Sequence, residues 1–235
     1  MKKPAKTASK IAVYRFERTR AYALVFLLLF HDIFKLTVEK CADKSYNVSI
    51  KRFGEIMDKF YTVDINGYKT DLPILPLPGI HICFFNLHGN QELTEHCGKE
   101  IAKALPPCDV VITAESKGLQ LAHVVARELG QHYYAVCRKS KKLYMQDGIQ
   151  TSVKSITTGS VQTLYLSKHD ADLMKGKRVA IVDDVVSTGG SLKGLEEIVR
   201  LAGGEIVAKA FVLAEGDAKD RDDIIYLAHI PVFVD

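Results

Sequence analysis

The chain has 235 residues, 47% of them hydrophobic and 26% charged, which is enough to bury a sizeable core and predicts one α/β domain with an appendage instead of two full domains. Its five cysteines are scattered, odd in number and without a Cys-x-x-Cys pair, so the sequence suggests neither a disulfide framework nor a zinc site and fits a reducing, cytoplasmic location. The net charge of +4 is uneven, because residues 1–52 hold 12 Lys or Arg against 4 Asp or Glu while the remainder is acidic.

Residues 1–45 are predicted to form a basic extension with one apolar helix. Ten apolar residues, 21–30, end at His31 and Asp32. This run is too short to span a bilayer and no small-residue cleavage site follows it, so we exclude a membrane helix and a signal peptide. We expect a helix that is buried or lies in an interface. The basic residues before it also suggest contact with nucleic acid or a membrane surface, but a solvated flank is the simpler interpretation.

Residues 46–90 are predicted to form a small cap over the main sheet. Residues 51–60 are consistent with a short helix, and residues 61–69 alternate as in a strand around an Asn-Gly pair, which predicts a hairpin. Three prolines predict irregular structure over residues 72–79. An apolar strand is expected at residues 80–85.

From residue 91 to the C-terminus, predicted helices and strands alternate, and we take residues 91–235 as the core domain. Such alternation predicts an α/β fold with a mostly parallel, twisted sheet flanked by helices, whose ligands bind beyond the carboxyl ends of the strands. The predicted helices are 91–105, 119–129 and 192–201, and the predicted strands are 109–113, 133–137, 163–166, 179–182 and 206–213.

The most informative stretch is residues 179–191, VAIVDDVVSTGGS, which predicts a strand, two acids, a small-residue loop and a helix start. Backbone N–H groups and hydroxyls at a helix N-terminus favour an anion, so phosphate is expected at residues 187–191, which we call the phosphate loop. Its members are Ser187, Thr188, Gly189, Gly190 and Ser191. Consecutive strand residues point to opposite faces, so Asp183 and Asp184 can spread around the hydroxyls of a ribose. Together these groups predict a ribose 5-phosphate site, and solvated acids beside an ordinary turn are the alternative.

A second loop, residues 114–118, follows the predicted strand 109–113 and leads into a helix, as the phosphate loop does. It also carries a cation. Its polar part consists of Glu115, Ser116, Lys117 and Gly118. If the two strands are neighbours, this loop faces the phosphate loop and is placed to bind a pyrophosphate group. The alternative is a solvated lysine at a helix start.

Residues 138–160, which we call the lid segment, form a long polar stretch after the predicted strand 133–137. The segment begins with four cations, Arg138, Lys139, Lys141 and Lys142, whose charge would complement a pyrophosphate. A long loop at the rim of a site is often a lid. A solvated basic loop without a role is the alternative.

Residues 179–191 closely resemble the phosphoribosyl-pyrophosphate signature of the type I phosphoribosyltransferases. The similarity covers roughly residue 61 to the C-terminus and is strongest at 115–118, 138–144 and 179–191. In the adenine enzymes of this family a Glu-Ser-Arg-Gly-like loop binds pyrophosphate, and residues 115–118 resemble it with Lys117 in place of arginine. Lysine keeps the charge but not the bidentate fork.

Further similarities point to the purine members of the family. Residues 76–80 resemble the Pro-x-Pro-Gly segment of adenine phosphoribosyltransferases, where the base pocket begins. Residues 156–167 and 214–216 resemble xanthine phosphoribosyltransferases and the purine-operon repressors that share their fold. Phe84 or Phe85 is a candidate to stack on the base, although a place in the core is the more usual role of such residues.

One departure from the adenine enzymes concerns the lid, where they carry a glutamate as candidate proton donor to the base. Here no glutamate lies between Glu128 and Glu196, and Asp147 is the only acid in the lid segment. This departure leaves open both which residue donates a proton to the purine and which purine is accepted.

The resemblance implies the transfer of phosphoribose from phosphoribosyl pyrophosphate to a purine, adenine being favoured, which yields a nucleoside 5′-monophosphate and pyrophosphate. It further implies Asp183 and Asp184 as catalytic residues, Mg²⁺ held mainly by substrate and water without direct protein ligands, and a homodimer. We expect neither nucleic acid nor membrane as a partner. Two alternatives remain: a phosphoribosyl-pyrophosphate-sensing purine regulator that binds nucleic acid through the basic N-terminus, and an assembly protein with a relic site.

Overall fold

The structure is a computed structural model that describes residues 59–154 and 161–234. The predicted apolar helix and the extension 1–45 lie outside these residues, as does all but the end of the helix predicted at 51–60. Within the described ranges no helix is long and apolar enough to cross a membrane. The four described cysteines are free thiols.

Eleven strands and four helices make up the described part of the chain. In chain order the strands are β1 (Phe60–Ile65), β2 (Tyr68–Leu77), β3 (Ile80–Cys83), β4 (Val110–Ala114), β5 (Ala135–Cys137), β6 (Ile149–Lys154), β7 (Val161–Leu166), β8 (Arg178–Val186), β9 (Glu205–Glu215), β10 (Ile225–Ile230) and β11 (Val232–Val234). The helices are α1 (Gln91–Ala104), α2 (Leu119–Glu128), α3 (Lys168–Met174) and α4 (Gly190–Ala202), and a 3₁₀ turn spans Gly216–Asp220.

The central sheet has the order β10-β9-β8-β4-β5, and every pair in it is parallel. It separates two apolar clusters. Val110 and Ile112 of β4 pack in the cluster that contains α3 and α4, whereas Val111 packs in the cluster that contains α1 and α2. Alternate residues of a strand point to opposite faces, so both faces of the sheet are covered by helices. The predicted α/β fold with a parallel sheet flanked by helices is therefore confirmed.

Local sequence signals account for the ends of several elements. The Asn90 side chain accepts a hydrogen bond of 3.2 Å from the amide of Leu93 and caps α1, and Ser167 caps α3 in the same way. The predicted hairpin is confirmed, since β1 and β2 pair antiparallel across Asn66 and Gly67. Both turn residues have positive φ, 48° and 93°, as a tight hairpin turn requires.

The small sheet has the order β1-β2-β3-β11, so it joins strands from both ends of the described chain. The prediction of irregular structure over residues 72–79 is wrong, because β2 runs on to Leu77. The register of β1 ends opposite Pro73, and beyond it β2 pairs with β3. A proline lacks the N–H that a central strand needs, and the loss is tolerated where a strand has a partner on one side only.

Three further expectations need correction. The lid segment is not wholly irregular, since β6 pairs antiparallel with β7. The sheet does not end with the strand predicted at 206–213, because β10 continues it in parallel. The short helix α3 had no predicted counterpart, since seven residues carry too little apolar periodicity to be recognised.

We predict that Gly98→Ala destabilises the protein. A Cβ at Gly98 of α1 would lie 2.4 Å from Cγ1 and 2.6 Å from Cβ of Val124 in α2, and the second of these atoms cannot move without its helix. We expect a loss of about 1–3 kcal/mol in the free energy of unfolding, measured by urea denaturation. The double variant Gly98→Ala/Val124→Gly, which removes both atoms, should be more stable than the two single effects predict, whereas additive effects would contradict a steric clash.

Candidate functional site

Two acids occupy the carboxyl end of the central strand β8. The strand runs through Asp183 and Asp184 to Val186, so the connection to α4 is only three residues long. Asp184 is 7% exposed, and its amide donates a hydrogen bond of 3.0 Å to Oδ1 of Asp183. This hydrogen bond holds the Asp183 carboxylate against the backbone of Asp184, at the edge where parallel-sheet folds bind ligands.

The electrostatic balance of this pair is unfavourable without a ligand. Burial, and next the negative charge of Asp184, raise the pKa of Asp183 well above its ordinary value, while Lys139 acts in the opposite direction. Lys117 supplies one compensating charge, with Nζ 3.6 Å from Oδ2 of Asp184. A cation or hydrogen-bond donors from a ligand would relieve the remaining repulsion.

The 114–118 loop touches these acids directly. A Cβ at Gly118 would lie 2.1 Å from Oγ1 of Thr113 and 2.5 Å from Oδ1 of Asp183, so only glycine fits there with the carboxylate in place. Because β4 and β8 are adjacent and parallel, their following loops meet at one edge of the sheet. Thr113, whose side chain is fully buried, was not singled out from the sequence because it lies in an otherwise apolar strand.

Lys117 connects the acids to the predicted base region. Its ammonium group donates to the carbonyl oxygen of Phe85 at 3.2 Å and lies 5.0 Å from the centroid of the Phe84 ring. Phe85 is 2% exposed and belongs to the core, whereas Phe84 is half-buried. Of the two phenylalanines, the ring of Phe84 is therefore the one brought close to the acid-bearing strand end.

Glu115 joins the 114–118 loop to the start of the lid segment. Its carboxylate accepts a hydrogen bond of 2.6 Å from the amide of Lys139 and lies 3.2 Å from Nε of Arg138. Arg138 is also fixed by two backbone hydrogen bonds of 2.8 Å with Tyr165 of β7. This bridging position of Glu115 depends on strand neighbours and was not apparent from the sequence.

The other predicted residues lie around this centre. Gly189 has a φ of 77° and Gly190 begins α4, while the remaining members of the phosphate loop, Ser187, Thr188 and Ser191, have exposed side chains. Ser116 is exposed and Lys142 is half-buried. Among the described residues no three His, Cys, Asp or Glu side chains are grouped as metal ligands.

A family model for the phosphoribosyl transferase domain matches residues 90–232 of the chain. The chain belongs to the phosphoribosyl transferase family. The resemblance seen at residues 179–191 is thereby confirmed.

Individual phosphoribosyltransferase relatives are similar over part of their length. The adenine phosphoribosyltransferase of Clostridium botulinum (strain Eklund 17B / Type B) is 36% identical over 116 residues, which are 49% of this chain and 64% of that protein. The "Probable purine biosynthesis transcriptional regulator PurR" of Streptococcus pneumoniae is 30% identical over 151 residues, 62% of this chain and 53% of that protein. The chain thus spans less than two thirds of either relative.

The fold is that of solved adenine phosphoribosyltransferases. The crystal structure of the enzyme from Rhodothermus marinus superposes with a TM-score of 0.55 at 22% identity, covering 78% of this chain and 99% of that one. At this identity the comparison shows a shared fold.

We predict that Asp183→Asn stabilises the ligand-free protein at neutral and higher pH. Because the pKa of Asp183 is raised in the folded state, the folded protein keeps a proton that the unfolded chain releases, and wild-type stability falls as pH rises between the two pKa values. Asparagine does not titrate. The variant should gain on the order of 1–3 kcal/mol at high pH and nothing below about pH 4, as measured by denaturation across pH. A gain that is equal at all pH values would contradict this assignment.

We predict that Gly118→Ala weakens ligand binding through displacement of the Asp183 carboxylate. The added methyl group cannot coexist with Oδ1 of Asp183 or Oγ1 of Thr113 at their present positions. In a calorimetric titration with phosphoribosyl pyrophosphate, the ligand that the family resemblance implies, the affinity should fall by roughly tenfold or more, the equivalent of one disrupted charged hydrogen bond. The double variant Thr113→Ala/Gly118→Ala relieves only the contact with Thr113, so it should recover stability but not affinity. Recovery of both would show that Asp183 is not displaced.

Proposed function

We propose that the protein is a purine phosphoribosyltransferase, with adenine favoured, which converts a purine and phosphoribosyl pyrophosphate to a nucleoside 5′-monophosphate and pyrophosphate in nucleotide salvage. The observation that carries the proposal is the contact of Gly118 with Asp183. This contact brings together the phosphate loop and the 114–118 loop, each of which suits a phosphate group. Asp183 and Asp184, which suit a ribose, lie between them.

In this proposal the ligand lies across the carboxyl ends of β4 and β8. The phosphate loop, Ser187 to Ser191, binds the 5′-phosphate through the N-terminal amides of α4. Asp183 and Asp184 accept hydrogen bonds from the ribose hydroxyls. The 114–118 loop, with Arg138, Lys139 and Lys142, receives the pyrophosphate group.

The chemistry asked of these groups is positioning and charge stabilisation. Breaking the anomeric C–O bond develops positive charge on the ribose ring and negative charge on the leaving pyrophosphate. The carboxylates lie next to the ring, where they favour its positive charge, and Lys117 and Arg138 lie where the pyrophosphate charge grows. Binding energy from the distant 5′-phosphate helps to hold the anomeric carbon in line for attack.

Magnesium fits the donor set of this site. Carboxylate oxygens are its preferred protein ligands. Burial, and next the negative charge of Asp184, raise the pKa of Asp183, so a nearby cation would stabilise the ionised pair. Bound together with the substrate and its waters, Mg²⁺ would neutralise part of the pyrophosphate charge. Asp183 and Asp184 would hold it through ribose hydroxyls or water.

The base is proposed to lie beside Phe84. The half-buried ring lies next to Lys117, which in turn contacts the acid pair. The lid segment contains no glutamate, and its one acid, Asp147, is exposed. Proton transfer at the purine therefore depends on Asp147, on solvent or on the substrate itself, and the purine accepted is set by neighbours of Phe84. A homodimer and a cytoplasmic location complete the proposal.

A turnover assay with labelled phosphoribosyl pyrophosphate, Mg²⁺ and adenine, hypoxanthine, guanine or xanthine tests this function. We expect the nucleoside monophosphate and pyrophosphate in equal amounts, fastest with adenine. The double variant Asp183→Asn/Asp184→Asn should be folded and inactive, because the ribose loses two charged acceptors and the negative charge that favours its transition state. Product from that variant at the wild-type rate would refute the role given to the acids.

If no nucleotide is formed with any of the four bases, the proposed enzyme activity is refuted. The regulator that binds phosphoribosyl pyrophosphate predicts that outcome together with salt-sensitive binding to duplex DNA, lost on deletion of residues 1–44. The partial match to PurR does not favour it over the enzyme.

A further inference from the structure

Arg221 lies against the phosphate loop although it is thirty residues beyond it in the sequence. A Cβ built at Gly189 would lie 2.9 Å from Nη1 of Arg221, so the guanidinium group rests on the face of Gly189 where other residues carry a side chain. The positive φ of 77° already favours glycine there. The glycine thus allows both the turn and the approach of a cation.

The orientation of this guanidinium is fixed by a carboxylate. Nε of Arg221 donates to Oδ1 of Asp223 at 2.9 Å and Nη2 donates to Oδ2 at 2.7 Å. This fork occupies one edge of the guanidinium and leaves Nη1 directed at Gly189. The side chain is 30% exposed, so it is accessible to a ligand on the loop.

Asp223 is shared between Arg221 and a second cation, which is in turn paired with a second acid. Lys209 of β9 also forms an ion pair with Asp223, and it lies 3.0 Å from Oε1 of Glu196 in α4. The Arg221 backbone is held in turn by the 3₁₀ turn, in which Ala218 is buried and its carbonyl accepts from the Arg221 amide. The guanidinium is therefore held in position before any ligand arrives.

We propose that Arg221 is a further phosphate-binding residue, which supplies a fixed positive charge to the 5′-phosphate on the phosphate loop. The inference rests on the proposed function and extends it. A phosphate bound by the amides of residues 187–191 lies next to Gly189, within reach of Nη1. Arginine is suited to this role since its charge is permanent and its donors are planar.

Calorimetric titration of the full chain with ribose 5-phosphate, phosphoribosyl pyrophosphate and pyrophosphate, each with Mg²⁺, tests the role. We expect Arg221→Gln to weaken the two ligands with a 5′-phosphate by about tenfold or more, the scale of a charged hydrogen bond. Binding of pyrophosphate should be unchanged. Arg221→Lys, which keeps the charge, should recover part of the loss.

Two control variants separate binding from loop support. Asp223→Asn removes the carboxylate that orients Arg221 but keeps the charge of the guanidinium, so its loss of affinity for ribose 5-phosphate should be clearly smaller than that of Arg221→Gln. Arg200→Gln removes the same charge from the far end of α4, where Arg200 is paired with Glu197, and should have no effect.

Wild-type affinity of Arg221→Gln for ribose 5-phosphate would refute the inference and leave the proposed function standing. An equal loss in Asp223→Asn would also refute it, because it would show a structural role, and this variant decides the matter if Arg221→Gln does not fold. Failure of the wild-type chain to bind any of the three ligands would overturn both proposals.

Discussion

The contact between Gly118 and the Asp183 carboxylate is the constraint on which the site depends. It is possible because β4 and β8 are adjacent and parallel, so their following loops emerge at the same edge of the sheet. The missing side chain lets the backbone of one loop approach the carboxylate of the other. Had the two strands been separated by a third, the same two sequences would have formed independent turns.

The same closeness makes the site electrostatically costly when no ligand is bound. Two carboxylates stand side by side, one of them 7% exposed, and Lys117 and Lys139 compensate them only in part. A protein under selection for stability alone would replace one acid with an apolar or amide side chain. The presence of both acids is expected where a ligand supplies the missing hydrogen-bond donors. Their unfavourable electrostatic energy is then confined to the binding site.

Sequence reasoning succeeded where the signal is local and failed where it depends on neighbours. The β8–α4 connection and the Asn66-Gly67 hairpin follow from residue types at fixed spacing. The course of β2 through its prolines does not, because it depends on where β1 stops pairing. Likewise, no local pattern shows that Glu115 contacts Arg138, or that Phe85 is in the core while Phe84 lies beside Lys117.

Arg138 and Arg221 are each paired with a carboxylate, and their positions indicate which ligand the site suits. Nε of Arg138 is paired with Glu115, and Nε and Nη2 of Arg221 are paired with Asp223. Two hydrogen bonds to Asp223 fix the plane of the Arg221 guanidinium, whereas Glu115 forms one ion-pair contact with Arg138. One arginine lies at the start of the lid segment and the other at the phosphate loop, with the acid pair on β8 between the two loops. Fixed cations on both sides of a pair of acids match a molecule with phosphate at both ends and hydroxyls between, and a ligand with one phosphate would leave one of them unused.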